Sequence, residues 1–172
     1  MIRTSIQVEG TTFEDYRRLK LTRSMSENNA SSSFEVVYDS PFGRHDNDFS
    51  VGNDIRIFAD KDADPTTLIF RGIVEEVSFE GEGSRERVIL SGRDYSARLM
   101  DVTVEPVVYT NSEISTIVTN IINNEVSNIT TTNVDVTTTT LNRIAFNHIS
   151  VFEALKKLSE LSVFIFFVYN TL

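Results

Sequence analysis

The segment LIFRGIVEEVSFEGEGSRERVILSGRDYSARLMD, residues 68–101, holds two extended runs joined by a Gly-rich turn. Residues 68–80 and 87–94 are rich in Ile, Val, Leu and Phe, which fit a pleated, half-buried surface. GEGS between them turns the chain. Gly72 lies inside the first run, and a glycine within a strand marks a bulge or a tight bend. The second run ends in Ser91-Gly92, and three charges follow: Arg93, Asp94 and Arg98. Polar groups at a strand end are a common way to build an active site. Asp94 as a base would need a nucleophile or metal beside it, and the sequence shows neither. The structural reading is preferred: Gly92 lets the backbone turn and Asp94 caps a short helical turn. Leu99 then packs back on the β domain, and Arg93 or Arg98 pairs with an acid.

Working back toward the N-terminus, the β pattern continues. TSIQVEG puts Ile6 and Val8 on one face and closes at Gly10; RRLKLTRSM alternates again with Leu19 and Leu21 inward. ENNASSS is turn-rich, and SFEVVYDSP is a strand ended by Pro41. PFGRHDNDFSVGN is a polar loop with a turn glycine at Gly52, and DIRIFAD alternates again. Short strands at close spacing with polar turns argue for a small barrel or sandwich over residues 1–105.

After Pro106 the period changes. TNSEISTIVTNIINNEV spaces Ile114, Ile117, Val118, Ile121, Ile122 and Val126 for a helix over 111–126, with Thr110 and Glu113 at capping-box spacing. Its β-branched residues make it depend on packing. SNITTTNVDVTTTT reads as extended, RIAFNHIS as a short strand. Ser150 and Glu153 form a second capping box opening a helix over 150–161, with Phe152, Leu155 and Leu158 on one face. VFIFFVY, 163–169, reads as an apolar strand of the kind normally covered on both faces. Residues 106–172 thus form an α/β segment with two helices, and the fold class is mainly β with α+β.

The 172 residues suffice for one medium or two small domains, and folding at this size buries roughly 68–70% of the unfolded surface. Cysteine is absent, which removes thiol catalysis, disulfides and Cys-based metal sites. The formal charge of −9 leaves no basic footprint for gripping nucleic acid. The N-terminus has no apolar core of signal-peptide length, and no run is long enough to span a bilayer. The expectation is a soluble protein kept in a cytoplasm or released by lysis.

Asp60, Asp62 and Asp64 alternate like a calcium loop, but the positions that need Gly and Glu hold Pro65 and Arg71, so a solvated hairpin tip is preferred. His45 beside Asp46 and Asp48, with His148 far off, makes a poor metal site. No G-x-S-x-G elbow, Walker loop or G-x-G-x-x-G occurs. GEGSRER precedes a strand, not a helix, and the NIT sequon at 128–130 matters only after secretion. Glu75 and Glu76 are expected on opposite faces of a strand and hence unable to form a dyad. No catalytic residue, cofactor or metal is expected. Gly52, Gly72, Gly92 and Asp94 are read as structural turns.

The succession VGNDIRIF, LIFRGIVEEVSF, RVILSGRDYSARLMD, VVYTNSEISTIVTNII and HISVFEALKKLSELSVFIFFV resembles the baseplate hub proteins of contractile phage tails and related injection machines, the late-control-D type. The resemblance covers most of residues 50–172, and its motifs are packing residues whose order carries the weight. It implies an antiparallel tail-tube-like β-barrel followed by the α/β segment. It also implies a structural protein of the virion, assembled in the host cytoplasm and joining a hexameric tail tube to a trimeric spike. A homo-oligomer, trimer or hexamer, is implied, with tail tube, spike and tape-measure proteins as partners. DNA would pass through without specific binding past an acidic wall, and no membrane is involved. Family members continue into a second tube-like barrel where this sequence stops.

Two readings of other classes compete. Phe42 and Phe49 in one polar loop suit a carbohydrate- or host-binding β module, an adhesion domain. A tail-embedded hydrolase would need a convergent acid–base site, which the sequence does not offer.

Overall fold

A computed structural model of the chain describes residues 2–23 and 31–162. The expected apolar strand at 163–169 and most of the turn-rich stretch at 27–33 lie outside the described residues. The chain forms two compact units that divide between Tyr95 and Ser96.

The first unit is one antiparallel sheet. It comprises β1 (Ile2–Val8), β2 (Thr11–Phe13), β3 (Tyr16–Thr22), β4 (Ser33–Asp39), β5 (Asp54–Lys61), β6 (Leu68–Glu80) and β7 (Arg87–Asp94), in the order β2-β1-β5-β6-β7-β4-β3. The two edge strands, β2 and β3, are separated only by Glu14 and Asp15. Three Cα steps span at most about 11 Å, so the two edges must approach one another at this corner, and the sheet curls. The hydroxyls of Thr4 on β1 and Tyr16 on β3 are hydrogen-bonded across the same gap. Inside lies one core of Ile6, Val8, Phe34, Val36, Tyr38, Phe49, Ile55, Ile57, Phe70, Val74, Val88 and Leu90. The alternation of β1 and β5 supplies Ile6, Val8, Ile55 and Ile57 as the sequence predicts; β4, β6, β7 and the loop residue Phe49 supply the rest.

The bulge signalled by Gly72 is found two residues later. Pairing of β6 with β7 slips between Val74 and Glu76. That slip breaks the alternation, so Glu75 and Glu76 both lie at the surface. Opposite faces were expected; the extra residue corrects this. The slip also brings backbones together. A Cβ on Gly92 would stand 2.0 Å from the Ile73 carbonyl oxygen and 3.0 Å from the Glu75 nitrogen. On Gly72 it would meet the Arg93 carbonyl oxygen at 2.3 Å.

The second unit has α1 (Ala97–Asp101), β8 (Thr103–Val104), β9 (Val107–Glu113), α2 (Ile114–Glu125), β10 (Thr140–Phe146), β11 (Ile149–Ser150) and α3 (Val151–Ser162). Its strands pair as β9 with β10 and β8 with β11. The core holds Leu99, Val104, Ile114, Ile117, Ile121, Ile122, Val126, Ile144, Phe146, Val151, Ala154, Leu155 and Leu158. Leu99 therefore packs in this second core and not on the β-sheet unit as expected, since α1 follows the division at Tyr95.

The two helix starts differ. Ser150 and Glu153 make the reciprocal box: the Glu153 N–H donates to Ser150 Oγ at 3.1 Å and the Ser150 N–H to Glu153 Oε2 at 3.2 Å. At α2 the expected box does not form, because residues 110–113 continue β9 into its pairing with β10. Thr137, from the Thr-rich stretch, takes the role instead. Its buried hydroxyl accepts from the Ser115 N–H at 3.0 Å and lies 3.3 Å from Glu113 Oε1, to which it donates.

Candidate functional site

The polar loop between β4 and β5 carries the densest set of chemistry-bearing side chains. Pro41 and Gly43 shape a 3-10 turn in which Phe42 adopts φ +57°, a conformation uncommon for a non-glycine residue. Buried Ser40 anchors the turn: its N–H donates to the Glu86 carbonyl at 2.8 Å, and its Oγ accepts from the His45 N–H at 2.9 Å. The Gly43 N–H donates to Glu86 Oε2 at 3.0 Å.

These ties drive His45 inward. Its imidazole is 5% exposed and sits among the rings of Phe13, Tyr38 and Phe49, with centroids 6.1, 5.7 and 5.8 Å away. Nδ1 lies 2.7 Å from Asp48 and Nε2 lies 3.2 Å from Asp15, at the corner between β2 and β3. Arg44 pairs with the same Asp15 at 3.1 Å. Both ring nitrogens are thus held by carboxylates of the chain, and the loop plugs one end of the curled sheet. Beneath it, burial pushes the Tyr38 phenol well above its ordinary range, helped by Asp15 and Tyr16. The Tyr38 hydroxyl has no hydrogen-bond partner among the described residues.

The two phenylalanines of this loop separate. Phe49 is 6% exposed and stacked on Tyr38 at 4.9 Å, whereas Phe42 is 81% exposed. The pair of aromatics envisaged for a glycan platform is therefore one core ring and one exposed ring.

Farther along, Gly52 turns at φ +94°, and its N–H donates to the Val74 carbonyl at 2.7 Å. That bond pins the loop end to the strand just before the bulge. Asp54 follows at the start of β5. Burial alone raises its carboxyl, but hydrogen bonds from Arg71 (2.9 Å), Tyr95 (2.7 Å) and Arg56 (2.9 Å) outweigh that and hold it below the usual carboxylate range. The same contact with Asp54 raises Arg71, whose guanidinium also lies 5.4 Å from the Tyr95 ring centroid. Sequence reading did not single out this cluster. Alternation put Arg56 outward, but the partners come from two strands, β5 and β6, and from the end of β7, and only register brings them together.

The remaining candidates have partners. Asp60 accepts from the Thr66 and Thr67 N–H groups and both their hydroxyls, which lowers its carboxyl to about 2 and locks the β5–β6 hairpin. Glu75 takes both ends of the Arg93 fork at 2.8–3.0 Å, and Glu76 accepts from Ser91 Oγ at 3.3 Å. Asp94 and Ser32 exchange two bonds of 2.9 Å, tying the end of β7 to the start of β4. Arg98 donates to Ser127 Oγ at 2.8 Å. His148 stands apart, at φ +48° between β10 and β11. Among the described residues no group of three or more His, Asp or Glu could hold a metal ion, and no described helix is long and apolar enough to cross a membrane.

No protein-family model matches this sequence, and no curated protein matches it. Solved structures do share the fold. The 43 kDa tail protein of prophage MuSo2 from Shewanella oneidensis superposes with a TM-score of 0.68 at 16% identity, over 94% of this chain and 49% of that one. A tail protein from Neisseria meningitidis MC58 gives 0.54 at 15% identity, over 71% and 34%. The E. coli c3393 protein gives 0.58 at 11% identity, over 90% and 42%. It is described as a component of the type VI secretion system with structural similarity to the T4 bacteriophage tail proteins gp27 and gp5. This chain spans half or less of each of these chains. A mainly antiparallel β fold with a curled sheet and, among the described residues, three α-helices, shared with phage tail proteins, is what the structure and these likenesses establish.

Proposed function

We propose that this chain is a structural part of a phage-type tail or related injection apparatus, in the baseplate hub that joins the tail tube to the central spike. The observation that carries the reading is the superposition of both units, in one chain order, on the MuSo2 tail protein over 94% of the chain. The organisation of the polar residues supports it: Asp15, His45, Asp48, Asp54, Asp60 and Asp94 all brace turns, strand ends or the sheet corner. Side chains committed in this way stabilise a scaffold. In the proposed hub the chain acts as a homo-oligomer, a trimer before a hexamer, beside tail tube, spike and tape-measure proteins. Its net charge of −9 lets DNA pass an acidic wall without sticking.

Co-expression with a tail tube protein, followed by negative-stain imaging and mass measurement, tests this. Rings with an open centre that cap tubes are expected. A chain that stays monomeric and leaves tube ends bare overturns the hub reading. Neutralising acids at the lumen without a change in the rate of DNA ejection overturns the role given to the charge.

A further inference from the structure

One strand has a charge opposite to that of its protein. YRRLKLTR, residues 16–23, carries Arg17, Arg18, Lys20 and Arg23 and no acid, within a chain of net charge −9. Residues 16–22 are β3, at the end of the sheet order, with Arg23 just past it donating to the Ile69 carbonyl at 2.6 Å; β3 pairs with β4 on one side and with no strand on the other, among the described residues. Arg17, Arg18, Lys20 and Thr22 are exposed, whereas Leu19 and Leu21 turn toward the core. Arg18 holds Glu35 at 2.5 Å and Arg17 holds Asp39 at 3.4 Å, both on β4; Lys20 makes no ion pair with any described residue.

An open edge presents a row of unpaired backbone groups, a template for a further strand, and basic side chains restrict what pairs there. We propose that the outer edge of β3 is a docking site for an extended acidic segment of a partner protein, added as a strand. The pleat sets its pattern. Residues opposite Arg18, Lys20 and Thr22 stand on the outer face, where carboxylates meet the cations. Residues between them face the side of Leu19 and Leu21 and are apolar. The recognised chemistry is an alternation of acidic and β-branched residues over about seven positions. Nucleic acid is the less suited occupant, because a phosphate chain does not complete the edge's backbone hydrogen bonds.

The full chain is titrated with the probe Ac-EVEVEVE-amide while amide hydrogen exchange is followed along β3. The expected result is binding with slowed exchange between Leu19 and Thr22. The double substitution R18E/K20E, folded by its melting curve, then weakens binding roughly tenfold, since two cross-strand charge pairs become repulsive. The probe Ac-KVKVKVK-amide should bind that variant better than the original chain. Binding that leaves β3 exchange unchanged overturns the proposal, as does no binding of the acidic probe. Tighter binding of a seven-nucleotide thymidine oligomer would assign the strip to phosphate contact and also overturn it.

Discussion

The two units solve the same problem, covering a hydrophobic core, with different kinds of contact. In the curled sheet the decisive contacts join residues distant in sequence: Asp15 to His45, Ser32 to Asp94, Asp54 to Tyr95, Gly52 to Val74. In the α/β unit the clearest device is local, since Ser150 and Glu153 close the start of α3 three residues apart. The difference teaches that a site built of side chains in the first unit exists only after the sheet has closed. In the second unit the start of α3 is instead dictated by neighbouring residues, although α2 still takes its cap from the distant Thr137.

The largest test of that contrast is Phe49→Ala. Emptying a ring-sized space beside Tyr38 and Phe13 is expected to cost about 3–5 kcal/mol in denaturant unfolding. Phe42→Ala, seven residues earlier but exposed, should change stability by less than about 0.5 kcal/mol. Equal effects would mean that the loop does not plug the sheet.

Gly92→Ala comes next. Its Cβ has two backbone atoms within 3.0 Å, so the bulge must shift, at about 3 kcal/mol. Gly52→Ala meets nothing within 4 Å and carries only the strain of φ +94°, about 1 kcal/mol. Thermal unfolding of the two variants should rank them in that order.

For the helix starts, Ser150→Ala should cost about 1 kcal/mol, as expected for a lost cap. Thr137→Val should cost about as much at α2, while Thr110→Ala costs less than about 0.5 kcal/mol. Helix-selective hydrogen exchange would show which helix loosens in each variant.

The smallest effect is one of pH. The Asp54 carboxyl lies lower in the folded chain than in the unfolded one, so its contribution is present in full above about pH 4 and is lost as pH falls through the folded value. Asp54→Asn should therefore be less stable than the original chain at neutral pH. The gap should narrow on acidification below about pH 4. A gap independent of pH would assign the loss to packing and not to charge.

Much of the fold was legible because its signals are short-ranged. Alternation located β1, β3 and β5, apolar runs between turn signals located β4, β6 and β7, period 3.6 located α2 and α3, and Ser150 with Glu153 located a helix start. Local rules fail where a long-range partner outweighs them. Thr110 and Glu113 have the right spacing for a cap, yet pairing with β10 keeps that segment extended and leaves capping to Thr137. Glu75 and Glu76 follow strict alternation only if the register holds, and the bulge opposite Gly92 removes that condition. Phe42 and Phe49 share a loop and a side-chain type; only closure of the sheet decides which ring is buried.

By itself, then, the sequence determined the types and order of most elements, the positions of many core residues, and the absence of thiol chemistry. Each depends on residue identity or on spacings of two to four positions. Tertiary structure alone decided that His45 lies between Asp15 and Asp48, that Asp54 gathers Arg56, Arg71 and Tyr95, and that basic β3 is left at the edge of the sheet. Strand order and register set those neighbours, and they result from how the whole sheet curls and buries its core rather than from any single segment.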